Sequence, residues 1–355
     1  MLKTFDEVFD DYTKYGTKIK TEQYHTIGTN IIIDQGQADI AGYTDQIDGL
    51  FKDVPVIVFG DHTRIIKYIN RPFFLGADGT KILKSKIPDA NYKYLYYALK
   101  NAKIPNTGYN RHFKWLKQIS ISYPEHEKQS MIVEILDKLE DSIDNYNTIL
   151  GLLDKLVKAR FIEMFGSIHD SKIFVYYPLK EITTVCSGGT PNRDNKAYWE
   201  SGTIPWVKTT ELKNNRLTHV EEFITELGLE ESSAKLVPSD TVLIAMYGQG
   251  KTRGMTGYLE IEATTNQACA CILPTNKMNM IYLWKYFELS YDKLRELAKG
   301  GNQPNLNCTM IRDFNILVPP IELQNQYADF VRHVDKSRFD IKKSIIELER
   351  EVVYD

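Results

Sequence analysis

The sequence predicts an α+β protein with two tandem α/β units and two long helices that pack against each other. Between Ile132 and Val157, apolar residues alternate at spacings of four and three for nearly four heptads, which is typical of a helix paired with another helix. Seven of the eight positions 195 residues later are also apolar, and the exception is Arg338. The residues predicted to pair are Ile132, Leu136, Leu139, Ile143, Leu150 and Leu153 in one helix, with Val331, Val334, Ile341, Ile345 and Leu348 in the other.

The composition is that of a globular protein of about two domains, with 43% apolar and 26% charged residues among 355. No apolar run approaches the length of a bilayer span, and the polar, acidic N-terminal stretch lacks the pattern of a secretory signal. The four cysteines form no CxxC pair, and Cys269 and Cys271 fit one face of a strand better than a zinc site. We therefore expect a cytoplasmic protein without a bound metal.

The charges are unevenly distributed along the chain. Residues 60–120 contain twelve Lys and Arg against three acids, whereas residues 125–165 contain five against nine. This asymmetry is expected if one part faces phosphate and the other faces protein. An ordinary solvated charged surface would produce the same counts, so charge alone leaves both interpretations open.

Residues 1–124 read as the first globular unit. A short helix capped by Thr4 is followed by strands at residues 31–33, 54–60, 65–69, 73–75 and 81–83, separated by polar turns. A helix is predicted at residues 92–100, and a short alternating strand at residues 116–124. The pattern favours a mainly antiparallel or meandering sheet with one packed helix.

Residues 125–166 form the first long helix in this interpretation. Glu125 and Glu127 follow Pro124, where carboxylates favour a helix N-terminus, and Gly166 ends the helix after Phe165. Forty helical residues would span about 60 Å at 1.5 Å per residue.

Residues 167–319 repeat the plan, and residues 320–355 form the second long helix. Strands are predicted at residues 204–207, 242–247, 269–273 and 311–319, with a helix at residues 281–296. At the junction with the long helix, six residues match at an offset of 195, which indicates an internal duplication. Leu116, Ile119, Ile121, Pro124, Glu127 and Gln129 correspond to Ile311, Phe314, Ile316, Pro319, Glu322 and Gln324.

Two loops carry candidate DNA-binding residues in the second unit. Gly250-Lys251-Thr252 lacks the upstream glycine of a phosphate-binding P-loop, because position 245 is alanine. Gln249, Lys251 and Arg253 are instead residue types suited to base edges and phosphates, although a glycine-rich hairpin with ordinary surface charges remains an equal alternative. Further candidates in this unit are Lys208, Gln303 and Asn305.

The first unit has its own candidates after the corresponding buried strand. His62 and Arg64 occupy the equivalent loop, with Lys67 and Arg71 behind them, and a second polar loop contributes Asn110 and Arg111. A lone histidine is more often structural, and the tryptophans are most simply core residues. No catalytic motif, cofactor loop or carboxylate pair suited to acid–base work is found, which favours recognition over catalysis.

The chain resembles the specificity (S) subunits of type I restriction–modification systems over essentially its whole length. The duplicated proline and Glu-x-Gln junctions carry the resemblance. It extends to Phe59-Gly60-Asp61-His62-Thr63-Arg64 with Gly76-Ala77-Asp78-Gly79, to Pro178-Leu179 and Thr190-Pro191, to Ile204-Pro205-Trp206-Val207 and to Asn266-Gln267.

The resemblance implies that each globular unit is a target recognition domain for one half of a bipartite DNA sequence. It implies that the two helices form an antiparallel coiled coil about a pseudo-twofold axis, set the spacing and dock two methyltransferase (M) subunits. The chain itself would bind no cofactor: M subunits use S-adenosylmethionine to methylate adenine N6, and restriction (R) subunits, where present, use ATP and magnesium. The setting would be the prokaryotic cytoplasm.

Two other function classes remain at this point. The chain could be a coiled-coil scaffold joining two protein-binding domains, and such a scaffold need not bind DNA. A stand-alone modification enzyme is a third hypothesis, but it requires a cofactor loop that the sequence lacks.

Overall fold

The computed structural model describes residues 1–76, 78–248, 250–298 and 305–354, with the side chains of residues 352–354 excepted. The chain divides into two compact units. Unit 1 comprises Met1–Tyr146 and Ser344–Asp355, and unit 2 comprises Asn147–Lys343. Both units mix helices and strands, which confirms the predicted fold class at this level.

Unit 1 contains nine strands and three short helices before its first long helix, counted over its described residues. A four-stranded antiparallel sheet has the order β2-β8-β5-β6, and a three-stranded sheet has the order β4-β3-β7, in which β3 and β7 are parallel. The elements are β1 (Leu2–Thr4), α1 (Phe5–Val8), β2 (Phe9–Asp11), β3 (Asn30–Ile33), β4 (Gly42–Thr44), β5 (Val56–Gly60), β6 (Ile66–Ile69), β7 (Phe73–Leu75), β8 (Thr80–Ser85), α2 (Tyr92–Lys100), α3 (Phe113–Leu116) and β9 (Ser120–Ser122).

Strand β5 lies at the centre of unit 1 and is buried on both faces. Ile57 and Phe59 join a core cluster that includes Leu95 of α2, whereas Val56 and Val58 join a second cluster on the other face. Successive side chains of a strand point to opposite faces. A strand covered on both faces therefore needs a continuous apolar run, as the sequence has here.

Unit 2 repeats this architecture with additions. The chain continues through α4 (His126–Phe165), whose first part belongs to unit 1, and then through the elements of unit 2. These are β10 (Val175–Pro178), α5 (Leu179–Ile182), β11 (Val185–Ser187), β12 (Ile204–Val207), β13 (Asn215–Leu217), β14 (Glu222–Ile224), α6 (Glu226–Glu230), β15 (Val242–Ala245), β16 (Thr256–Leu259), β17 (Thr264–Thr265), β18 (Cys269–Ile272), α7 (Met280–Leu289), α8 (Tyr291–Leu297), α9 (Cys308–Arg312), β19 (Asn315–Val318) and α10 (Ile321–Tyr354).

The strand connectivity of unit 2 matches that of unit 1, with one strand, β13, added at the edge of the larger sheet. Its larger sheet has the order β11-β18-β15-β16-β13, and its smaller sheet has the order β14-β12-β17 with β12 and β17 parallel. The junction with the long helix also repeats: the side-chain amide of Gln129 donates to the carbonyl of Pro124 at 2.8 Å, and Gln324 donates to Pro319 at 2.7 Å. Both glutamines are buried. The duplication inferred from the sequence is therefore also present in the local hydrogen bonding.

The two long helices are continuous, and Gly166 ends α4 with a left-handed φ of 79°. Within unit 2 they run antiparallel. The hydroxyl of Tyr327, early in α10, donates to the carbonyl of Val157, late in α4, at 3.2 Å, whereas Arg338 pairs with the earlier α4 residue Asp154. Every residue predicted to pair is buried or half-buried. Among the described residues, none of the helices is both long and apolar enough to cross a membrane.

The acidic stretch of α4 is partly neutralised inside unit 1. Asp137 forms an ion pair with Lys93 of α2 at 2.7 Å, and Glu140 forms one with Lys100 at 2.5 Å. The hydroxyl of Tyr97 donates to both carboxylates, and burial together with these acceptors raises its pKa well above the usual value. Some of the charge asymmetry in the sequence therefore reflects packing of α2 on α4.

Three secondary-structure predictions were wrong in detail. Residues 116–124 and 311–319 are not single strands, because short helices α3 and α9 precede β9 and β19. The side chain of Asn307 caps α9 by accepting from the Met310 amide at 2.9 Å. The predicted helix at residues 281–296 is divided into α7 and α8 at Ser290, whose hydroxyl donates to the Tyr286 carbonyl.

Candidate nucleic-acid interface

A buried aspartate organises the loop that follows β5 in unit 1. The Asp61 amide donates to the Gly79 carbonyl at 2.7 Å, and its carbonyl accepts from the His112 amide at 2.7 Å. Its carboxylate accepts from the Phe113 amide at 2.7 Å, at the start of α3. These bonds draw three segments that are distant in sequence into one loop cluster.

An exposed aromatic pair lies on this cluster. The rings of His62 and Tyr109 stack with centroids 4.9 Å apart and an interplanar angle of 10°, and Tyr109 is 90% exposed. The His62 amide donates to the side chain of Gln35 at 3.1 Å. Asn110 and Arg111, both predicted candidates, are exposed beside Tyr109 in the chain. This arrangement can offer a stacking surface next to a cation.

The remaining candidates of unit 1 differ in accessibility. Arg71 is exposed, but Arg64 is half-buried and donates to the Ile104 carbonyl at 3.3 Å. Lys67 is only 6% exposed, and its ammonium donates to the Ala38 carbonyl at 2.5 Å. Burial lowers the pKa of Lys67. The described geometry therefore does not support direct DNA contact by Lys67, because its charged end is occupied inside the unit.

The glycine-rich loop after β15 in unit 2 is held in place from α8. The guanidinium of Arg295 donates to the carbonyls of Gly250 and Arg253 at 3.0 and 2.9 Å, and the Tyr291 hydroxyl donates to the Lys251 carbonyl at 2.7 Å. Gly250 has a left-handed φ of 60° with open space where a Cβ would lie. The backbone is thus anchored while the Lys251 side chain is exposed.

Lys208 is engaged by two carboxylates of its own unit. Its ammonium lies 2.8 Å from Glu221 and 2.9 Å from Glu222, and these hydrogen bonds raise the pKa of Lys208 to about 12. A phosphate would have to compete with both acids for this ammonium. Asn305 is exposed, whereas Gln249 and Gln303 lie outside the described residues.

Tyr109, Gln35 and Arg295 are site residues that the sequence did not single out. A tyrosine inside the polar loop at residues 106–111 was an available signal for an exposed aromatic side chain. Gln35 contacts a residue 27 positions away in the sequence, and Arg295 contacts residues 42 and 45 positions away. No local sequence pattern reveals such contacts. No cluster of three His, Cys, Asp or Glu residues that could hold a metal occurs among the described residues.

Two units that share their strand connectivity apart from β13, each with a polar loop after the same buried strand, define a protein with two tandem domains of one fold. The chain belongs to the type I restriction modification DNA specificity domain family, whose family model matches residues 3–154 and again residues 172–350. The family resemblance inferred from the sequence is confirmed.

Curated relatives agree with this assignment. The chain is 25% identical over 343 residues to the type I restriction enzyme EcoR124I/EcoR124II specificity subunit of Escherichia coli, covering 92% of this chain and 84% of that protein. It is 24% identical over 255 residues to the type I restriction enzyme MjaIX specificity subunit of Methanocaldococcus jannaschii, covering 66% of this chain and 58% of that protein.

Solved structures share the fold. A type I restriction–modification S subunit from M. genitalium matches with a TM-score of 0.62 at 18% identity, over 99% of this chain and 93% of that one. A chain from a study of complex assembly and conformational transition of the type I system matches with a TM-score of 0.51 at 14% identity, over 99% and 95%.

Family membership identifies the chain as a specificity subunit, which recognises the DNA target and leaves methyl transfer to a separate M subunit. The chain is therefore not an enzyme by itself. The scaffold hypothesis is not favoured.

Proposed function

We propose that unit 1 and unit 2 each read one half of a bipartite DNA sequence. The repeated connectivity carries this proposal, because it gives both units a polar loop after the same buried strand, β5 in one and β15 in the other. Two similar readers on one chain suit a target with two separate halves.

In unit 1, Tyr109 would stack on a base or sugar while Arg111 and Arg71 contact phosphates. His62 would hold the Tyr109 ring, as their stacked geometry suggests. In unit 2, Lys251 and Asn305 are exposed candidates. Gln249, Arg253 and Gln303 remain candidates on the sequence argument alone.

The pairing of α4 and α10 would form an antiparallel coiled coil that sets the distance between the half-sites. The burial of the residues predicted to pair supports this arrangement, as do the antiparallel contacts between the two helices within unit 2. One added heptad in each helix lengthens it by about 10 Å, equal to about three base pairs of duplex. We expect methylation mapping to find the half-sites about three base pairs farther apart, with each half-site sequence unchanged.

Two M subunits carrying S-adenosylmethionine would dock on the helices, and R subunits using ATP and magnesium would join where the system has them. Exposed apolar side chains on both helices support a docking role in unit 2: Leu152 and Leu156 lie one turn apart on α4, and Phe339 on α10 is 68% exposed. The prokaryotic cytoplasm is the corresponding location.

The decisive experiment expresses the chain with the M subunit encoded beside it and maps methylated adenines in the host DNA. A bipartite motif is expected. Tyr109→Ala should weaken selection at one half-site and Lys251→Ala at the other, whereas Lys336→Ala, an exposed lysine on α10, should change neither. A map without any bipartite motif would contradict the proposal.

Salt dependence separates DNA reading from the scaffold hypothesis. Binding of the assembled complex to duplex DNA should weaken steeply between about 50 and 200 mM salt, because phosphate contacts release counterions. A complex that assembles normally but binds no duplex at low salt would favour the scaffold.

A further inference from the structure

All four cysteines of the chain lie in unit 2, around two neighbouring strands of its larger sheet. Cys186 is in β11, Cys269 and Cys271 are in β18, and Cys308 begins α9. All four are free thiols. The proposed DNA reading uses none of them, and among the described residues they join no cluster of metal ligands. What they can do together therefore depends on how close the backbone brings them.

Two of these cysteines lie directly opposite each other, because Cys186 and Cys271 are partners in the antiparallel register of β11 and β18. Two residues before Cys186, the Thr184 carbonyl accepts from the Leu273 amide at 3.0 Å. Opposite residues on antiparallel strands are hydrogen-bonded at every second position, so Cys186 and Cys271 also form such a pair, with Cα atoms about 5.5 Å apart. Disulfides most often join Cα atoms about 5.5–6 Å apart. The backbone therefore already has the spacing that a disulfide requires.

The side chains of this pair are on the same face of the sheet. Cys269 and Cys271 belong to one buried cluster, and Cys186 packs against that cluster. Cys308 packs instead against the cluster on the other face of the sheet, and its thiol donates to the sulfur of Met246 at 3.8 Å. Of the other three cysteines, Cys271 is therefore the one placed to react with Cys186.

The two thiols differ in accessibility and in acidity. Cys186 is half-buried, whereas Cys271 is only 1% exposed. A hydrogen bond from Cys271 lowers the pKa of Cys186 to about 6, and the positive charges of Lys235 and Arg312 act in the same direction. The same hydrogen bond, together with burial, raises the pKa of Cys271. Since the thiolate is the reactive form of cysteine, an oxidant from solvent meets a reactive sulfur at Cys186, with a second sulfur directly behind it.

We propose that Cys186 and Cys271 form a site of reversible oxidation, at which a peroxide converts the two thiols into a cross-strand disulfide. The Cys186 thiolate attacks one oxygen of hydrogen peroxide, the O–O bond breaks, and a sulfenic acid and a hydroxide ion form. The Cys271 sulfur then attacks the Cys186 sulfur, the S–O bond breaks, and the hydroxyl leaves as water with the Cys271 proton. The two sulfur atoms together give up two electrons. These electrons reduce one peroxide to two molecules of water, once the hydroxide takes up the proton that Cys186 had released.

The disulfide joins β11, at the edge of the larger sheet, to its neighbour β18. It closes a covalent link across an edge that hydrogen bonds alone hold in the reduced chain. A small thiol reverses the reaction by attacking one of the two sulfur atoms and forming a mixed disulfide. Disulfides that form transiently are the kind found in reducing compartments.

The first test uses the full, unmodified chain. It is treated with hydrogen peroxide at pH 7 and then unfolded in excess N-ethylmaleimide, which blocks the remaining thiols. We expect the intact mass to show two blocked thiols where the untreated chain shows four. Peptide mapping should find one linked pair of peptides, joined through Cys186 and Cys271. Dithiothreitol added before the blocking step should restore all four thiols.

Three serine variants assign the roles of the thiols. Cys308→Ser is the matched control, because it removes a half-buried thiol on the opposite face, and it should form the same disulfide at an unchanged rate. Cys271→Ser keeps a hydrogen-bonding group beside the Thr265 hydroxyl, and it should stop at a sulfenic acid on Cys186 that dimedone traps. Cys186→Ser should slow the loss of thiols at least about ten-fold, because it removes the accessible thiolate.

The unmodified chain alone can overturn the proposal. A link between Cys186 and Cys308 would do so, as would a disulfide-linked dimer. Loss of no thiol at a peroxide dose that oxidises half of an equal amount of free glutathione would also overturn it. No DNA is involved, so the result is independent of the proposed target reading.

Discussion

Replacing Arg338 with leucine tests how the helix seam is built. Arg338 is the polar exception in the seam, and only 17% of its side chain is exposed. Its guanidinium pairs with Asp154 and, at 3.3 Å, with Asp335, while its buried Nε has no acceptor among the described residues. Asp335 also accepts from Arg216 at 2.9 Å, so it keeps a partner when Arg338 is removed.

The expected change in the free energy of unfolding is small and favourable. Asp154 is 71% exposed, so losing that pair costs about 0–1 kcal/mol, and losing the pair with Asp335 costs about 1 kcal/mol. Removing the unsatisfied Nε raises the free energy of unfolding by about 1 kcal/mol or more. Better apolar burial in the seam contributes about 1 kcal/mol, since the arginine stem already covers part of that surface. We expect Arg338→Leu to be between neutral and about 2 kcal/mol more stable.

Arg338→Glu is the matched contrast. It places a third carboxylate beside Asp154 and Asp335, and repulsion at about 4 Å in a partly buried site is worth several kcal/mol. Urea unfolding followed by tryptophan emission suits both variants, because three of the four tryptophans lie in unit 2. If Arg338→Leu destabilises the protein as much as Arg338→Glu does, the charge of Arg338 is essential and the seam interpretation is wrong.

Three further predictions concern single positions. Gln324→Leu should lower the free energy of unfolding by about 2–4 kcal/mol, because two backbone groups lose their hydrogen-bond partner. Gln129→Leu should lower it by only about 1 kcal/mol, because the side-chain oxygen of Gln129 already lacks a described partner. Urea unfolding of both variants checks this order, and equal losses would contradict it. A hydrogen bond from Cys271 lowers the pKa of the Cys186 thiol and raises the pKa of the Cys271 thiol. Iodoacetamide at pH 7 should therefore alkylate Cys186 before Cys271, as followed by mass spectrometry, and earlier labelling of Cys271 would refute this. Gly151→Ala, at an exposed helical site with nothing near its Cβ position, should stabilise α4 by about 1 kcal/mol, and a fall in the thermal midpoint would count against it.

The features predictable from the sequence are those set by local periodicity. The apolar run of β5 is buried on both faces, and the helix at Tyr92–Lys100 has the predicted bounds. The proline and glutamine of each junction form the same hydrogen bond, so their recurrence in the sequence had a structural cause.

Features that depend on distant contacts were not predictable. Lys67 resembles a surface lysine in the sequence, but its acceptor is a carbonyl 29 residues away. The short helix α3 depends on Asp61, which accepts the Phe113 amide across 52 residues. Leu116 and Ile119 fit a helical turn as well as an irregular strand, so the sequence could not decide between them.

The repeated junction gives each globular part the same link to the long helix that follows it. Its repeated contact uses one glutamine side chain and one proline carbonyl, both within six residues of the point where the long helix begins. Recombination at Pro124 or Pro319 would keep that contact whatever globular sequence precedes it. A domain exchanged at this point would keep the junction but would also have to match the contacts that α2 makes with α4, such as the ion pair between Lys93 and Asp137.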